Sequence, residues 1–382
     1  MRNGAGFGRL EKKVPDTFFE ARELRFVAQL PETYRQMEPE EIRRRILERK
    51  KGLGRRLVIL GHHYQRQDVI DFADFRGDSL GLSRLAADQE DCEFIVFCGV
   101  RFMAESAEIL RREHQRVQHP DPKSGCPLAD MADIASVRRA WGLVAGDGDD
   151  GKVTPITYMN SGSDLKAFCG RRGGAVCTSS NAGAAFKWAR AKGEKIFFFP
   201  DENLGRNTAR QVGIPREEIL LWDPEESPLH PGIEEQVQAA TLILWKGFCH
   251  VHTDFKPEHI RRIREEDPEA RIVVHPECSE EVVAGADAVG STELICRYVE
   301  QAPAGSSVYI GTEINLVARL AQEHPDKRIF EVFRSLCPNM FRIDPAKLLW
   351  ILDGIGEIHR VHVAPDTKEL ARVALENMLS FS

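Results

Sequence analysis

The chain has 382 residues, 42% of them hydrophobic and 29% charged; that is enough apolar material for two or three domains and excludes a disordered chain. Its 52 basic against 59 acidic residues leave a formal net charge of −7, which argues against a duplex-binding surface of clustered Lys and Arg, so no nucleic acid partner is expected. The N-terminal segment lacks the apolar core of a secretion signal, and no apolar run approaches the roughly 20 residues of a membrane span. A cytoplasmic protein without a membrane partner is expected, its nine cysteines mostly reduced thiols.

Residues 1–54 read as an N-terminal extension ending in a helix from Pro39 to Arg56. Glu40 and Glu41 stand in its first turn and Arg and Lys in its last, which complements the helix dipole. Three similar units follow, over 55–147, 148–262 and 263–344. In the first, a strand at Val58 runs into His62-His63-Tyr64; Gly77-Asp78-Ser79, a third strand at Phe94 to Phe97, and Gly125-Cys126-Pro127 come after it. The second repeats this as a strand ending in Tyr158-Met159-Asn160, then Cys177-Thr178-Ser179, a strand at Ile196 to Phe199, and Gly247-Phe248-Cys249. The third runs through His275-Pro276-Glu277, Gly290-Ser291-Thr292, a strand at Val308 to Gly311, and Leu336-Cys337-Pro338. Helix-period stretches at 82–88, 103–113 and 183–192 follow strands, which implies βαβ units and parallel sheets. Residues 145–151 have the turn composition of a linker; a calcium loop is excluded because the place of its bidentate Glu is taken by Tyr158. Two helices, 345–352 and 367–378, are expected to close the chain over 345–382 by packing back across the units. The fold class expected is α/β, with three similar αβα domains around a pseudo-threefold axis, each with a small parallel sheet.

Such an axis brings equivalent loops together, so Cys126, Cys249 and Cys337, each read as following the third strand of its unit, can share one centre. A CxxC signature is absent, and the spacing leaves iron–sulfur and zinc both open. Three thiolates leave one coordination position vacant for a substrate, which is Lewis acid chemistry. Cys278 is the alternative ligand. Strand alternation through Cys249-His250-Val251-His252 would set His252 on the face opposite Cys249. His62, Tyr64, Tyr158, Asn160, His275 and Glu277 occupy matching places and supply acid, base and hydrogen-bonding groups, with His252 as a further proton carrier. Ser79, Ser179, Ser291 and Thr292 stand where strands give way to helices. They read equally as N-caps or as binding points for phosphate or carboxylate, which implies a small, multiply anionic substrate.

These motifs, with Phe102-Met103-Ala104-Glu105, Gly125-Cys126-Pro127-Leu128 and Pro200-Asp201-Glu202-Asn203, resemble those of the quinolinate synthase family, iron–sulfur enzymes of de novo NAD biosynthesis, from about residue 55 to 345. The resemblance implies condensation of iminoaspartate with dihydroxyacetone phosphate to quinolinate, losing phosphate and water. It implies a four-iron–four-sulfur (4Fe–4S) cluster on Cys126, Cys249 and Cys337, and an aspartate oxidase or dehydrogenase that supplies iminoaspartate. Its substrate-binding positions fall on His62, Ser79, Tyr158, Met159, Asn160, Ser179, His275, Pro276, Glu277 and Thr292, and its essential tyrosine on Tyr64; its Cys-x-x-His pair falls on Cys249 and His252. Glu277 and His275 are the expected proton acceptors, with Tyr64 and His62 as proton partners in later steps. Members with CxxCxxC around the last ligand have been thought to use it as a redox switch; here Arg334 replaces the nearest partner, so that disulfide is not available. A redox carrier without catalysis and a zinc hydrolase using His275 and Glu277 are the alternative readings.

Overall fold

Among the described residues, 28–146 and 151–381 of a computed structural model, thirteen strands form three all-parallel sheets. Residues 1–27 of the N-terminal extension and 147–150 of the expected linker at 145–151 lie outside the described residues. The first sheet holds β1 (Leu57–His62), β2 (Phe75–Gly77), β3 (Phe94–Cys98) and β4 (Arg116–Gln118) in the order β2-β1-β3-β4. The second holds β5 (Val153–Tyr158), β6 (Ala175–Cys177), β7 (Lys195–Phe199), β8 (Ile219–Trp222) and β9 (Leu242–Trp245), ordered β6-β5-β7-β9-β8. The third holds β10 (Arg271–Val274), β11 (Ala288–Val289), β12 (Ser307–Gly311) and β13 (Arg328–Glu331), ordered β11-β10-β12-β13. The three sheets share one order, and β8 is an extra edge strand of the second.

This corrects one expectation. Cys126, Cys249 and Cys337 follow β4, β9 and β13, so each comes after the last strand of its sheet rather than the third. The central strands are buried along nearly their whole length, as in β1 and β5, because helices cover both faces of a parallel sheet. The helices run close to their expected spans, and their ends follow capping chemistry. Helix Ser79–Asp88 starts earlier than read because the Asp78 side chain accepts from the Gly81 amide, and Pro345–Asp353 starts where Asp344 caps it. The helix expected from Pro39 to Arg56 stops at Leu53, where Gly54 takes a φ of 52°.

One large apolar cluster runs through the first and second sheets and takes in the C-terminal helix Pro365–Ser380. That helix lies against helix Ser163–Arg171 so closely that a Cβ on Gly170 would collide with the Leu370 carbonyl oxygen. Helices Pro39–Leu53 and Pro345–Asp353 share a second cluster on the other face of the first sheet. The third sheet has two clusters of its own, in which Tyr64 is the side chain contributed by the first unit. Helix Pro257–Glu266, which the expected boundary at 262 cuts, packs with the third sheet. No helix among the described residues is long and apolar enough to cross a membrane.

Candidate functional site

Register sets the site. His62 ends β1 opposite Gly77, and Tyr158 ends β5 opposite Cys177. Val274 ends β10 opposite Val289, so His275 stands opposite Gly290. Two residues beyond those partners stand Ser79, Ser179 and Thr292, and two residues beyond the strand-end residues stand Tyr64, Asn160 and Glu277. The six polar groups are thus equivalent positions at the carboxyl ends of three parallel sheets, where ligands of such sheets bind. One local turn recurs: the Tyr64 amide donates to His62 Nδ1 at 3.2 Å, and the Glu277 amide donates to His275 Nδ1 at 3.3 Å. With Nδ1 accepting, each ring carries its hydrogen on Nε2, and that of His275 meets Ser179 Oγ at 3.2 Å.

The strand ends border a partly open cavity of about 70 Å³. His62, Tyr64 and Ser79 line it from the first unit, and Tyr158, Asn160 and Ser179 from the second, joined by His252, His275, Glu277 and Thr292. Cys126, Cys249 and Cys337 border the same space. Met159 and Pro276 do not. The Met159 sulfur lies against Ser106 Oγ, and its amide donates to the Cys177 carbonyl at 2.7 Å; the Pro276 carbonyl accepts from Asn207 Nδ2 at 2.9 Å. Cys278, the alternative ligand, is buried outside the cavity with its thiol toward the Gly311 carbonyl. Val100, Phe102, Met103 and Met340 form an apolar wall that was not expected. The Thr292 hydroxyl is buried, faces this space and has no partner among the described residues.

Residues 249–253 form a helical turn, His250–Thr253 capped by Cys249, rather than the strand that alternation suggested. A spacing of three on a helix puts Cys249 and His252 on one side. The ligand atoms of Cys249, His252 and Glu277 accordingly lie within 4.8 Å of one another. A single ion among these three would displace existing hydrogen bonds. Glu277 already accepts from Tyr158 at 2.5 Å and pairs with His252 Nδ1 at 2.8 Å, and His252 Nε2 meets Thr312 Oγ1 at 3.1 Å. Cys249 also shares the border of the cavity with two further free thiols, Cys126 and Cys337, which are soft donors. Burial pushes the Cys126 thiol up to about 12 and those of Cys249 and Cys337 above their usual value, so a bound cation is what would hold them as thiolates.

Glu277 is the fixed charge of the site. Burial opposes its ionisation, but the His252 and His275 rings and the hydrogen bonds from His252 and Tyr158 hold its carboxyl at about 2. Burial, then this carboxylate, raises both Tyr158 and Tyr64 well above the usual phenol value. Burial, then His252, lowers His275 to about 3, and burial, then His63 and Arg319, lowers His62 well below the usual imidazole value. With Nδ1 taken by a backbone amide, both rings turn Nε2 toward their other partners. Thr312, which sequence reasoning missed, bonds Tyr64 Oη at 2.6 Å as well as His252. Its signal lay in the repeat: Cys98, Phe199 and Gly311 hold equivalent register places, so Thr312 matches Gly99 and Pro200.

Three parallel α/β units that direct one thiol each, and a hydroxyl each, to a shared carboxylate–imidazole cavity define a three-lobed α/β protein with a composite, thiol-rich site. The chain matches the family described as Quinolinate synthetase A protein over residues 44–380 and belongs to that family. The quinolinate synthase of Anoxybacillus flavithermus is 48% identical over 356 residues, covering 92% of this chain and 96% of the relative. That of Acidobacterium capsulatum is 49% identical over 344 residues, covering 88% and 91%, and that of Rhodopirellula baltica 44% identical over 362 residues, covering 91% and 92%.

Proposed function

We propose that this chain condenses iminoaspartate with dihydroxyacetone phosphate to form quinolinate, releasing phosphate and water, with a 4Fe–4S cluster held by Cys126, Cys249 and Cys337. The observation that carries this reading is the meeting of one thiol from each unit in the cavity that also holds the Glu277–His252 pair. Bound there, the cluster supplies a Lewis acid at its vacant iron. Ser79, Ser179 and Thr292, beside the amino ends of helices Ser79–Asp88, Ala182–Lys192 and Thr292–Gln301, bind the carboxylates and phosphate through hydroxyls and free amides. The unpartnered Thr292 hydroxyl is a donor waiting for such an oxygen.

His62 and His275 orient substrate oxygens as neutral Nε2–H donors, and Glu277 takes a proton from the substrate. Tyr158 and Asn160 complete the polar wall, and the apolar side formed by Val100, Phe102 and Met103 keeps water from the hydrolysable imine. An aspartate-oxidising enzyme would supply that imine, and a reducing compartment such as the cytoplasm would preserve the thiols. The test is oxygen-free purification, metal and sulfide analysis, and assay of quinolinate from the two substrates. Four irons with matching sulfide and quinolinate formation are expected; stoichiometric zinc, or no quinolinate from a fully loaded protein, would overturn the reading.

A further inference from the structure

The three loops that carry Cys126, Cys249 and Cys337 are tied to one another by side chains other than the thiols. Ser124, two residues before Cys126, donates its hydroxyl to the Asn339 carbonyl, two residues after Cys337, at 2.6 Å. Ser335, two residues before Cys337, donates to the Val251 carbonyl, two residues after Cys249, at 2.8 Å, and lies 3.3 Å from Asp254 Oδ2. The equivalent place before Cys249 is Gly247, where a Cβ would collide with the Pro200 carbonyl oxygen. Trp245, two residues earlier at the end of β9, takes that part. Its Nε1 donates at 2.8 Å to the carbonyl of Met131, which closes the helical turn that Cys126 opens. Each unit thus gives one bond and receives one, and the three run round the site as a closed ring: first unit to third, third to second, second to first.

Ser124, Trp245 and Ser335 are all buried, and an indole N–H can only donate. The two serines are fixed by their main chains: the Ser124 carbonyl accepts from the Arg101 amide at 2.8 Å and the Ser335 carbonyl from the Ile314 amide at 3.0 Å, at the first turns of helices Arg101–Leu110 and Ile314–Glu323. None of the three donors borders the cavity, so the ring uses no ligand atom. We propose that Ser124, Trp245 and Ser335 are positioning residues for the cluster proposed above: they fix the spacing of the three cysteine loops, so that the thiols meet the cluster with their places already set instead of being gathered by it. A trio held in this way loses less chain freedom on binding, and the smaller cost appears as slower loss of iron. The three bonds act on retention of the cluster, not on the chemistry, since none of the donors faces the reactants.

The inference rests on the proposed cluster, and the test separates the two. Wild type, Ser124→Ala, Ser335→Ala and Trp245→Phe are loaded with iron and sulfide without oxygen, and transfer of iron to the ferrous chelator bathophenanthroline disulfonate is followed by absorbance. With one buried bond lost, each variant is expected to release iron about three- to tenfold faster than wild type, while kcat per loaded cluster stays within about twofold. Gly170→Ala, strained at a helix contact away from the cavity, controls for general loosening and is expected to release iron at the wild-type rate. Wild-type release from any folded ring variant overturns the ring and leaves the synthase reading standing, as does equally fast release from Gly170→Ala. A wild type that takes up no four-iron cluster overturns both. Should one ring variant fail to fold, the other two decide, because each breaks a different bond.

Discussion

Replacing Glu277 by Gln separates the chemistry of the site from its architecture. Both carboxylate oxygens of Glu277 accept, one from Tyr158 at 2.5 Å and one from His252 at 2.8 Å. An amide offers one oxygen and one NH₂, so one of these donors comes to face another donor. That leaves one buried bond unmade at a cost of about 1–3 kcal/mol, partly offset because a charge no longer has to be buried. Loss of a proton acceptor in the cavity costs about 10²–10⁴ in turnover, or about 3–5 kcal/mol in the barrier. Turnover should therefore collapse while iron content stays whole and the melting temperature falls by a few degrees. Anaerobic quinolinate assay, iron determination and calorimetry on one preparation read the three quantities. Turnover within about threefold of wild type at full iron loading would remove Glu277 from the chemistry.

Cys126→Ser should reduce bound iron and abolish quinolinate formation, read by iron analysis of oxygen-free protein; full iron and full activity would refute the ligand assignment. Gly170→Ala forces the C-terminal helix off the Leu370 carbonyl contact and should destabilise by about 1–3 kcal/mol, seen as a lower melting temperature and earlier proteolysis of 365–380. His119 is buried, its Nε2 donates to the Gly99 carbonyl at 2.8 Å, and burial lowers it to about 4. The unfolded chain takes up this proton as pH falls through 6.5 and the folded chain does not until about 4. Stability is therefore full above 6.5 and drops across that window, by about 3 kcal/mol from this group. Denaturant unfolding of His119→Gln should show a shallower decline over the same range.

The repeat was legible because its marks are chemical: a polar pair after an apolar strand, a hydroxyl at the next strand end, and a Cys within two residues of Gly or Pro. Those marks fall in register at His62, Tyr158 and His275. The last strand of the first and third units was harder to see, since β4 reads Arg-Val-Gln and β13 reads Arg-Ile-Phe-Glu, too short and too polar for a periodic signal. The turn at 249–253 was misread because alternating Cys, His, Val and His imitates a strand, whereas the Thr253 amide closes it onto the Cys249 carbonyl at 3.0 Å. Thr312 was marked only by its place in the repeat, where the other units carry Gly99 and Pro200, and a single Thr after a strand is commonplace. The orientation of the His62 and His275 rings was equally hidden: it depends on a local turn that brings the amide two residues later onto Nδ1.

The separate apolar clusters of the third sheet have a mechanical consequence. Its seam with the other two units is stitched by Arg319 to the His63 carbonyl, Asn315 to the Tyr64 carbonyl, Asn207 to the carbonyls of Pro276 and Cys278, and the Glu277 bonds themselves. Parting such a seam trades protein hydrogen bonds for water at about 0.5–1.5 kcal/mol each, whereas prising the first two units apart would wet a continuous oily interior. The molecule is therefore a two-unit base with a third unit latched onto it, and part of the latch, the bonds of Glu277 to Tyr158 and His252, borders the cavity itself. Whatever grips Glu277 from inside also touches the latch.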